Sequence, residues 1–194
     1  MLKKLLIANR GEIAIRIAQA AAELGIATVG IHSEDDATSL HVRRVDEARA
    51  LKGKGAAAYL DIGGVVAAAK AAGCDSVHPG YGFLAESTEL VNACAEHDLV
   101  WIGPSAEAIE TMGDKAVAKD TMRNAGLPLV PGSAGRLSGP EEAAIVAAEA
   151  GYPVLLKAAA GVGGKGMRRV HGPDEVRDGF LAASTEAEAA FGDA

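Results

Sequence analysis

The sequence of 194 residues contains few aromatic residues, only two cysteines and no long hydrophobic run. Aromatic residues make up 4% of the chain, so its core must be built mainly from aliphatic side chains and alanine. Cys74 and Cys94 have neither metal-binding nor redox spacing, which favours two free thiols over a disulfide. No segment approaches the ~20 apolar residues of a membrane span. Residues 9–12 also end the first apolar run too early for a signal peptide. We therefore expect a soluble, cytoplasmic protein with no membrane partner.

Positive charge is also scarce. The chain has 19 Lys and Arg against 26 Asp and Glu, a formal net charge of −7. This balance argues against the basic surface that a nucleic-acid partner requires. Hydrophobic residues make up 49% of the chain, enough for one large or two small domains. The scattered histidines predict no metal site: His32, His41, His97 and His171.

Short apolar runs alternate with helical periodicity over the first 102 residues. In the first helical segment, Ile13, Ile17 and Leu24 recur at helical spacing before Gly25. This alternation predicts βαβ units and a parallel sheet, hence a Rossmann-like α/β domain. The predicted strands are residues 4–8, 26–31, 48–51, 76–78 and 100–102, and the later helices are residues 61–72 and 84–97.

The second half of the sequence has a different pattern. A helical stretch, residues 105–126, breaks near Gly113 and is followed by the linker-like residues 127–132. Ser138 and Glu141 have the spacing of a capping box for a helix that ends at Gly151. Two strands around a glycine loop follow, and residues 173–175 open a last helix with Val176, Phe180 and Ala183 on its buried face. We expect a domain at residues 1–113, a helical linker at 114–130 and an incomplete α+β unit at 131–194.

The glycine loop follows Lys157 and contains Gly161, Gly163, Gly164 and Gly166. Glycines let backbone N–H groups surround an anion, and the adjacent lysines add positive charge. The spacing fits neither a P-loop nor a dinucleotide site, since the loop lies between two strands. A lid over nucleotide phosphates and an ordinary glycine-rich hairpin explain this loop equally well.

Lys157 stands at the end of the apolar strand before the loop. We expect its ammonium group to be desolvated unless an anion pairs with it. The alternative is a lysine whose stem is buried while its charge reaches water. The adjoining glycines favour phosphate contact.

Four sequence blocks carry a family resemblance. They are Leu-Leu-Ile-Ala-Asn-Arg-Gly-Glu-Ile-Ala at 5–14, His-Pro-Gly-Tyr-Gly-Phe-Leu-Ala-Glu at 78–86, Trp-Ile-Gly-Pro at 101–104 and Met-Gly-Asp-Lys at 112–115. With the glycine loop, they resemble the biotin carboxylase component of biotin-dependent carboxylases over essentially the whole chain. The first two blocks are specific, whereas the glycine loop would fit any ATP-grasp enzyme.

The resemblance implies a fold and a set of site residues. The fold is a parallel-sheet domain followed by an incomplete ATP-grasp lid. Lys115 and Lys157 would contact ATP, Gly163 and Gly164 would close over its phosphates, and Tyr81 would lie near biotin. Three residues depart from the family pattern: Ser87, Ala160 and Val162, the last of which would stiffen the loop.

The resemblance also implies an activity and partners. The parent would use ATP, Mg²⁺ and bicarbonate to carboxylate biotin on a carrier protein, and would work with a carboxyltransferase. The Mg²⁺ ligands and catalytic groups would belong to regions beyond Ala194, so the chain resembles an N-terminal fragment that is inactive alone. A homodimer is implied, with Arg16 facing the partner subunit.

Other residues of the specific blocks have structural interpretations. Arg10 and Glu12 are expected to be ion-pair partners, and His78 to belong to a rigid turn. Two other functions stay open: another ATP-grasp ligase of the carbamoyl-phosphate or purine-pathway type, and a non-catalytic dimerisation or interaction module.

Overall fold

The protein is represented by a computed structural model, which describes residues 2–113, 115–158 and 166–191, without the side chains of 115, 116, 190 and 191. The chain divides into two compact units, Met1–Gly113 and Asp114–Ala194. Each unit is described by itself.

The first unit is a five-stranded parallel sheet with helices between its strands. The strand order is β3-β2-β1-β4-β5, and every neighbouring pair is parallel. The predicted parallel α/β fold is confirmed. The elements are β1 (Lys4–Ile7), α1 (Gly11–Glu23), β2 (Ala27–His32), β3 (Glu47–Ala50), α2 (Gly55–Ala58), α3 (Ile62–Ala71), β4 (Ser76–His78), α4 (Thr88–Glu96), β5 (Val100–Trp101) and α5 (Ala106–Gly113), with short 3₁₀ helices at Glu34–Asp36 and Leu40–Arg43.

The alternating side chains of β1 explain why both faces of the sheet are covered. Leu6 points into a core shared with Val65 of α3 and Leu90 of α4. Leu5 and Ile7 belong to a second core with residues of α1. Because successive side chains of a strand point to opposite faces, this short run needs helices on both sides.

Helix α4 begins later than the sequence predicts. The predicted helix at residues 84–97 is wrong in its first turn, because the backbone of Ser87 is extended (φ −93°, ψ 112°) and the helix starts only at Thr88. Ser87 is the N-cap, and its Oγ accepts a hydrogen bond from the Leu90 amide at 3.1 Å. The serine that departs from the family pattern therefore has a helix-capping role, which asparagine also performs well.

The second unit contains a small antiparallel sheet packed on helices. Its elements are α6 (Lys115–Asn124), α7 (Pro140–Ala150), β6 (Val154–Lys157), β7 (Met167–Val170), a 3₁₀ turn at Pro173–Glu175 and α8 (Val176–Phe191). Val154 pairs with Val170, and Lys157 with Met167. One face of the sheet packs with α7 and α8 in a core that includes Ala143, Ala147, Val170 and Val176. The two predicted strands that flank the glycine-rich segment are confirmed.

The predicted capping box is wrong in its partner. The backbone N–H and Oγ of Ser138 both bond to Glu142, each at 2.7 Å, rather than to Glu141. Glu141 instead pairs with Arg177 of α8 at 3.0 Å. Gly139 is the N-cap and Pro140 opens the helix, so Glu142 is the third helical residue and accepts both bonds from Ser138, the residue before the N-cap.

Within the described residues, no helix is both long and apolar enough to cross a membrane.

Candidate functional site

The two specific sequence blocks meet at one edge of the first sheet. Strands β1 and β4 are neighbours, and the chain leaves β1 towards β2 on one side while β4 leads to β5 on the other. In open α/β sheets, ligands bind beyond the carboxyl ends of the strands at such a switch in strand order. Residues 9–12 follow β1 and residues 79–83 follow β4, so both lie at this edge.

Asn9 connects the two loops. Its side chain is buried, and Nδ2 donates to the carbonyl oxygens of Pro79 at 2.7 Å and Tyr81 at 2.8 Å. Its Oδ1 accepts from the Arg10 amide at 2.8 Å. Gly80 has a φ of +69°, and a Cβ there would lie 2.8 Å from Asn9 Nδ2. Close approach to Asn9 and the left-handed backbone both require glycine at position 80.

Arg10 ties the same edge to an aromatic pair. Its Nη1 lies 2.9 Å from Asp36 Oδ2, so Arg10 forms an ion pair as predicted, and its partner is Asp36 rather than Glu12. Its guanidinium carbon lies 5.5 Å from the ring centroid of Tyr59 and 5.6 Å from that of Phe83. The two rings stack with centroids 5.1 Å apart. Phe83, in the loop after β4, is therefore held by a cation–π contact.

Asp36 is the shared acceptor of this network. It accepts from the hydroxyls of Tyr59 at 2.8 Å and Ser39 at 3.1 Å, besides Arg10. Burial alone would raise the pKa of Asp36, but the hydrogen bonds from Tyr59, Arg10 and Ser39 lower it to about 2. Burial and the bond to Asp36 raise the pKa of Tyr59 to about 12. No local sequence pattern marks Asp36 or Tyr59, because the two are brought together only by the fold.

Tyr81 is 61% exposed, and its hydroxyl donates to the carboxylate of Glu12. This hydrogen bond and the negative charge of Glu12 raise the pKa of Tyr81. Among the described residues Glu12 forms no ion pair, and its carboxylate instead accepts from the neutral hydroxyl of Tyr81, so its predicted role as an ion-pair partner is wrong.

His78 belongs to the turn itself. The Gly80 amide donates to His78 Nδ1 at 3.0 Å, and burial lowers the pKa of the imidazole. A neutral ring with Nδ1 as acceptor fits both observations. The interpretation of His78 as part of a rigid turn agrees with this geometry.

A pocket of about 500 Å³ opens beside Arg10. His41, at its wall, is buried and lies 3.1 Å from the Ile31 carbonyl oxygen through Nε2. Burial lowers the pKa of this histidine, which keeps the ring neutral near pH 7. The pocket is lined by Arg10, Gly11, Glu12, Ile15, Asp36, Ser39, Leu40 and His41.

In the second unit, Lys157 ends β6 on the exposed face of the small sheet. The expectation that its ammonium group is desolvated is wrong, since the alternating burial of β6 turns Lys157 to solvent. Leu155 and Met167 are 49% and 37% exposed on the same face. The Ala158 amide donates to the Gly166 carbonyl at 2.8 Å and closes the base of the hairpin.

The remaining predicted ATP-side residues lie partly or wholly outside the described part of the chain. Lys115 is the first residue of α6, but its side chain is not described. Gly163 and Gly164, together with Ala160 and Val162, fall within residues 159–165, which lie outside the described residues.

In the described ranges, no group of three or more His, Cys, Asp or Glu residues forms a metal site. Cys74 and Cys94 are buried free thiols, and burial raises the pKa of each to about 11.

Comparison with known proteins assigns the family. The sequence model for the biotin carboxylase N-terminal domain matches residues 1–109, more than half of the chain. The chain belongs to the biotin carboxylase family. A second model, for the ATP-binding domain of the carbamoyl-phosphate synthase L chain, matches residues 114–194.

Curated biotin carboxylases are similar along nearly the whole chain. Biotin carboxylase from Nostoc sp. is 50% identical over 192 residues, 98% of this chain. Biotin carboxylase 1 from Bacillus subtilis is 50% identical over 193 residues, 99% of this chain. The chain spans only 43% of the length of each of these relatives.

Solved structures show the same similarity in three dimensions. A biotin carboxylase–β,γ-ATP complex from Campylobacter jejuni matches all of this chain with a TM-score of 0.91 and 44% identity, over 44% of its own length. The biotin carboxylase domain dimer of Hydrogenobacter thermophilus 2-oxoglutarate carboxylase, with MgADP, ADP and bicarbonate, matches with a TM-score of 0.86 and 46% identity. It is covered over 43% of its length.

Proposed function

We propose that the chain supplies the N-terminal part of a biotin carboxylase that uses ATP and bicarbonate to carboxylate biotin on a carrier protein. The observation that carries this proposal is similarity to biotin carboxylases along both units, with 50% identity to the Nostoc enzyme over 98% of the chain. This whole-chain similarity supports biotin carboxylase over another ATP-grasp ligase.

The reaction requires positive charge around a phosphoryl group. The γ-phosphoryl group of ATP passes to bicarbonate, giving ADP and carboxyphosphate, which releases phosphate and CO₂ for attack by the biotin ureido nitrogen. Negative charge spreads over the phosphate oxygens during the transfer, so cationic side chains and backbone N–H groups stabilise it. We assign this work to Lys115, Lys157 and the amides of Gly163 and Gly164.

The exposure of Lys157 is consistent with this assignment. A solvated ammonium group at a strand end can pair with a phosphate without first breaking a buried ion pair. Within the described residues no ion pair or hydrogen bond engages the Lys157 side chain. Tyr81, exposed at the edge of the first sheet, is assigned to the biotin side.

Mg²⁺ neutralises phosphate charge in such transfers when it is bound. The described residues offer no cluster of three metal-binding side chains. None of them is assigned to the metal.

The partners follow from the same proposal. They are a biotin carboxyl carrier domain, a carboxyltransferase and a second copy of the parent, with Arg16 of α1 at the subunit contact. The Hydrogenobacter relative is described as a domain dimer, which supports the last of these. A cytoplasmic location stays a prediction from the sequence.

Replacement of Lys157 by alanine tests the assignment. In an intact carboxylase that carries this segment, Lys157→Ala should raise the KM for ATP about 10-fold or more, because a charge-assisted phosphate bond contributes ~1.5–3 kcal/mol. Lys52→Ala, which removes an exposed lysine of the first unit, is the matched control. Equal KM values for wild type and Lys157→Ala would remove Lys157 from the ATP site.

Titration of the purified chain with ATP separates an enzyme segment from a pure interaction module, which would show no binding. Even if the chain binds ATP, we expect it to release no phosphate by itself in the presence of biotin and bicarbonate, since the resemblance assigns the Mg²⁺ ligands and catalytic groups to other regions. Biotin-dependent phosphate release by the purified chain would contradict this expectation.

A further inference from the structure

Asn9, in the loop after β1, and Glu12, in the first turn of α1, both contact Tyr81 in the loop after β4. Asn9 Nδ2 bonds to the backbone carbonyl of Tyr81, and Glu12 accepts the hydrogen bond of the Tyr81 hydroxyl. We propose that Asn9 and Glu12 are positioning residues that hold Tyr81 in the orientation in which it faces biotin. This inference rests on the proposed function, in which Tyr81 lies on the biotin side.

The exposure of Tyr81 explains why it needs such support. At 61% exposure the ring has few packing neighbours to fix its χ angles. A side chain in that state samples several rotamers, and ordering it has an entropic cost. The bond at the carbonyl fixes the backbone from which the side chain projects, and the bond at the hydroxyl restricts the far end of the ring before any substrate arrives.

Asn9 is chemically suited to the backbone contact. Its NH₂ group has two donors, and they reach two carbonyls, those of Pro79 and Tyr81. Aspartate at this position has no donor and would place a carboxylate against both carbonyl oxygens. Gly80, lying between these carbonyls, leaves the space that Asn9 fills.

Glu12 is suited to the hydroxyl contact. It lies in the first turn of α1, where the helix N-terminus favours a negative charge. The ionised carboxylate is an acceptor only, so it fixes the Tyr81 hydroxyl as the donor. The two residues are 69 positions apart in sequence, and only the parallel pairing of β1 with β4 brings them together.

The first test uses the chain itself and does not depend on biotin. The sequence has three tyrosines, Tyr59, Tyr81 and Tyr152, so ¹³Cζ-tyrosine labelling gives three NMR signals, with Tyr81 assigned by Tyr81→Phe. Glu12→Ala should lower the pKa of Tyr81 and leave that of Tyr59 unchanged. Asn9→Ser should speed hydrogen exchange of the amides of residues 80–83. Glu107→Ala, which removes an acidic residue from the first turn of α5, is the matched control.

The second test measures catalysis in an intact carboxylase that carries residues 1–194. Glu12→Ala should raise the KM for biotin about 2- to 5-fold, as expected for loss of a solvent-exposed bond, with little change in kcat or in the KM for ATP. In a Tyr81→Phe background, Glu12→Ala should have no further effect, because its partner hydroxyl is already absent. Glu12→Gln, which keeps an acceptor, should restore part of the loss.

The outcomes separate the inference from the proposed function. An unchanged Tyr81 pKa in Glu12→Ala, or an additive Glu12→Ala effect in the Tyr81→Phe background, would overturn the positioning role. Altered Tyr81 titration with an unchanged biotin KM in both Glu12→Ala and Tyr81→Phe would overturn the link to biotin. In that case the KM for ATP would still report on the proposed carboxylase activity.

Discussion

Replacing Asp36 by asparagine should destabilise the first unit measurably. The carboxylate of Asp36 accepts from Tyr59, Arg10 and Ser39, and through Arg10 it also supports the ring of Phe83. Asparagine keeps the shape of the side chain. Its single oxygen can still accept hydrogen bonds from Tyr59 and Arg10, although it carries no charge. Its NH₂ group takes the place of the carboxylate oxygen that accepts from the Ser39 hydroxyl. The substitution therefore removes mainly the charge.

The size of the effect follows from the pKa of Asp36. A shift from 3.8 to about 2 corresponds to roughly 2 kcal/mol of preference for the ionised form in the folded state. The Arg10 side chain is 41% exposed, so solvent screens part of its interaction. We expect Asp36→Asn to lower the free energy of unfolding by about 1–2 kcal/mol at pH 7.

The pH dependence gives this prediction a second test. The folded-state pKa of Asp36 is lowered, so its contribution is complete above the ordinary value of 3.8 and disappears as pH falls towards about 2. The difference between wild type and Asp36→Asn should therefore be constant from pH 5 to 7 and should shrink below pH 4.

Urea unfolding followed by tryptophan fluorescence measures this difference. Trp101, the only tryptophan, lies in β5 of the first unit and reports on that unit. Asp98→Asn makes the same chemical change at an exposed turn outside the Asp36 network, and it should leave the free energy of unfolding nearly unchanged. A loss below about 0.5 kcal/mol in Asp36→Asn, or a loss independent of pH between 5 and 2.5, would refute the reasoning.

Two further predictions concern the N-cap of α4 and the glycines in the loop after β4. Ser87→Ala should lower the free energy of unfolding, measured with urea, by about 0.5–2 kcal/mol, because the N-cap bond to the Leu90 amide is lost. Ser87→Asn, which keeps a capping side chain, should be within about 0.5 kcal/mol of wild type. Equal losses in the two variants would contradict the capping role. Gly82→Ala should cost about 1 kcal/mol for its positive φ alone, since nothing lies within 4 Å of an added Cβ. Gly80→Ala should cost at least about 1 kcal/mol more, because its added Cβ would collide with Asn9, and similar losses at both glycines would argue against tight Asn9 packing.

The sequence by itself determined the order and type of most elements. The apolar runs around Leu6 and Val29 predicted buried parallel strands, because a sheet with helices on both faces needs apolar side chains on both sides of each strand. Gly25 and Gly151 marked helix ends correctly, since both take positive φ values. The specific blocks at residues 5–14 and 78–86 also indicated the family, which the whole-chain similarities confirm.

Only the tertiary structure decided how the site residues contact one another. Local spacing predicted a Ser138–Glu141 box, but the register of α7 placed Glu142 at Ser138 and left Glu141 for Arg177 of α8. Similarly, the apolar residues of β6 suggested that the ammonium group of Lys157 is desolvated. In the structure the side chains of β6 alternate between the two faces of the sheet, and that of Lys157 lies on the exposed face.

At the edge of the first sheet, the sequence supplied two separate motifs and the fold joined them. Asn9 and Tyr81 are 72 residues apart, and Arg10 and Asp36 are 26 apart. Their contacts depend on the parallel pairing of β1 with β2 and with β4, a long-range arrangement that periodicity and residue spacing do not encode. Local residue types thus determined the strands, helices and turns, whereas strand order and register determined which side chains meet.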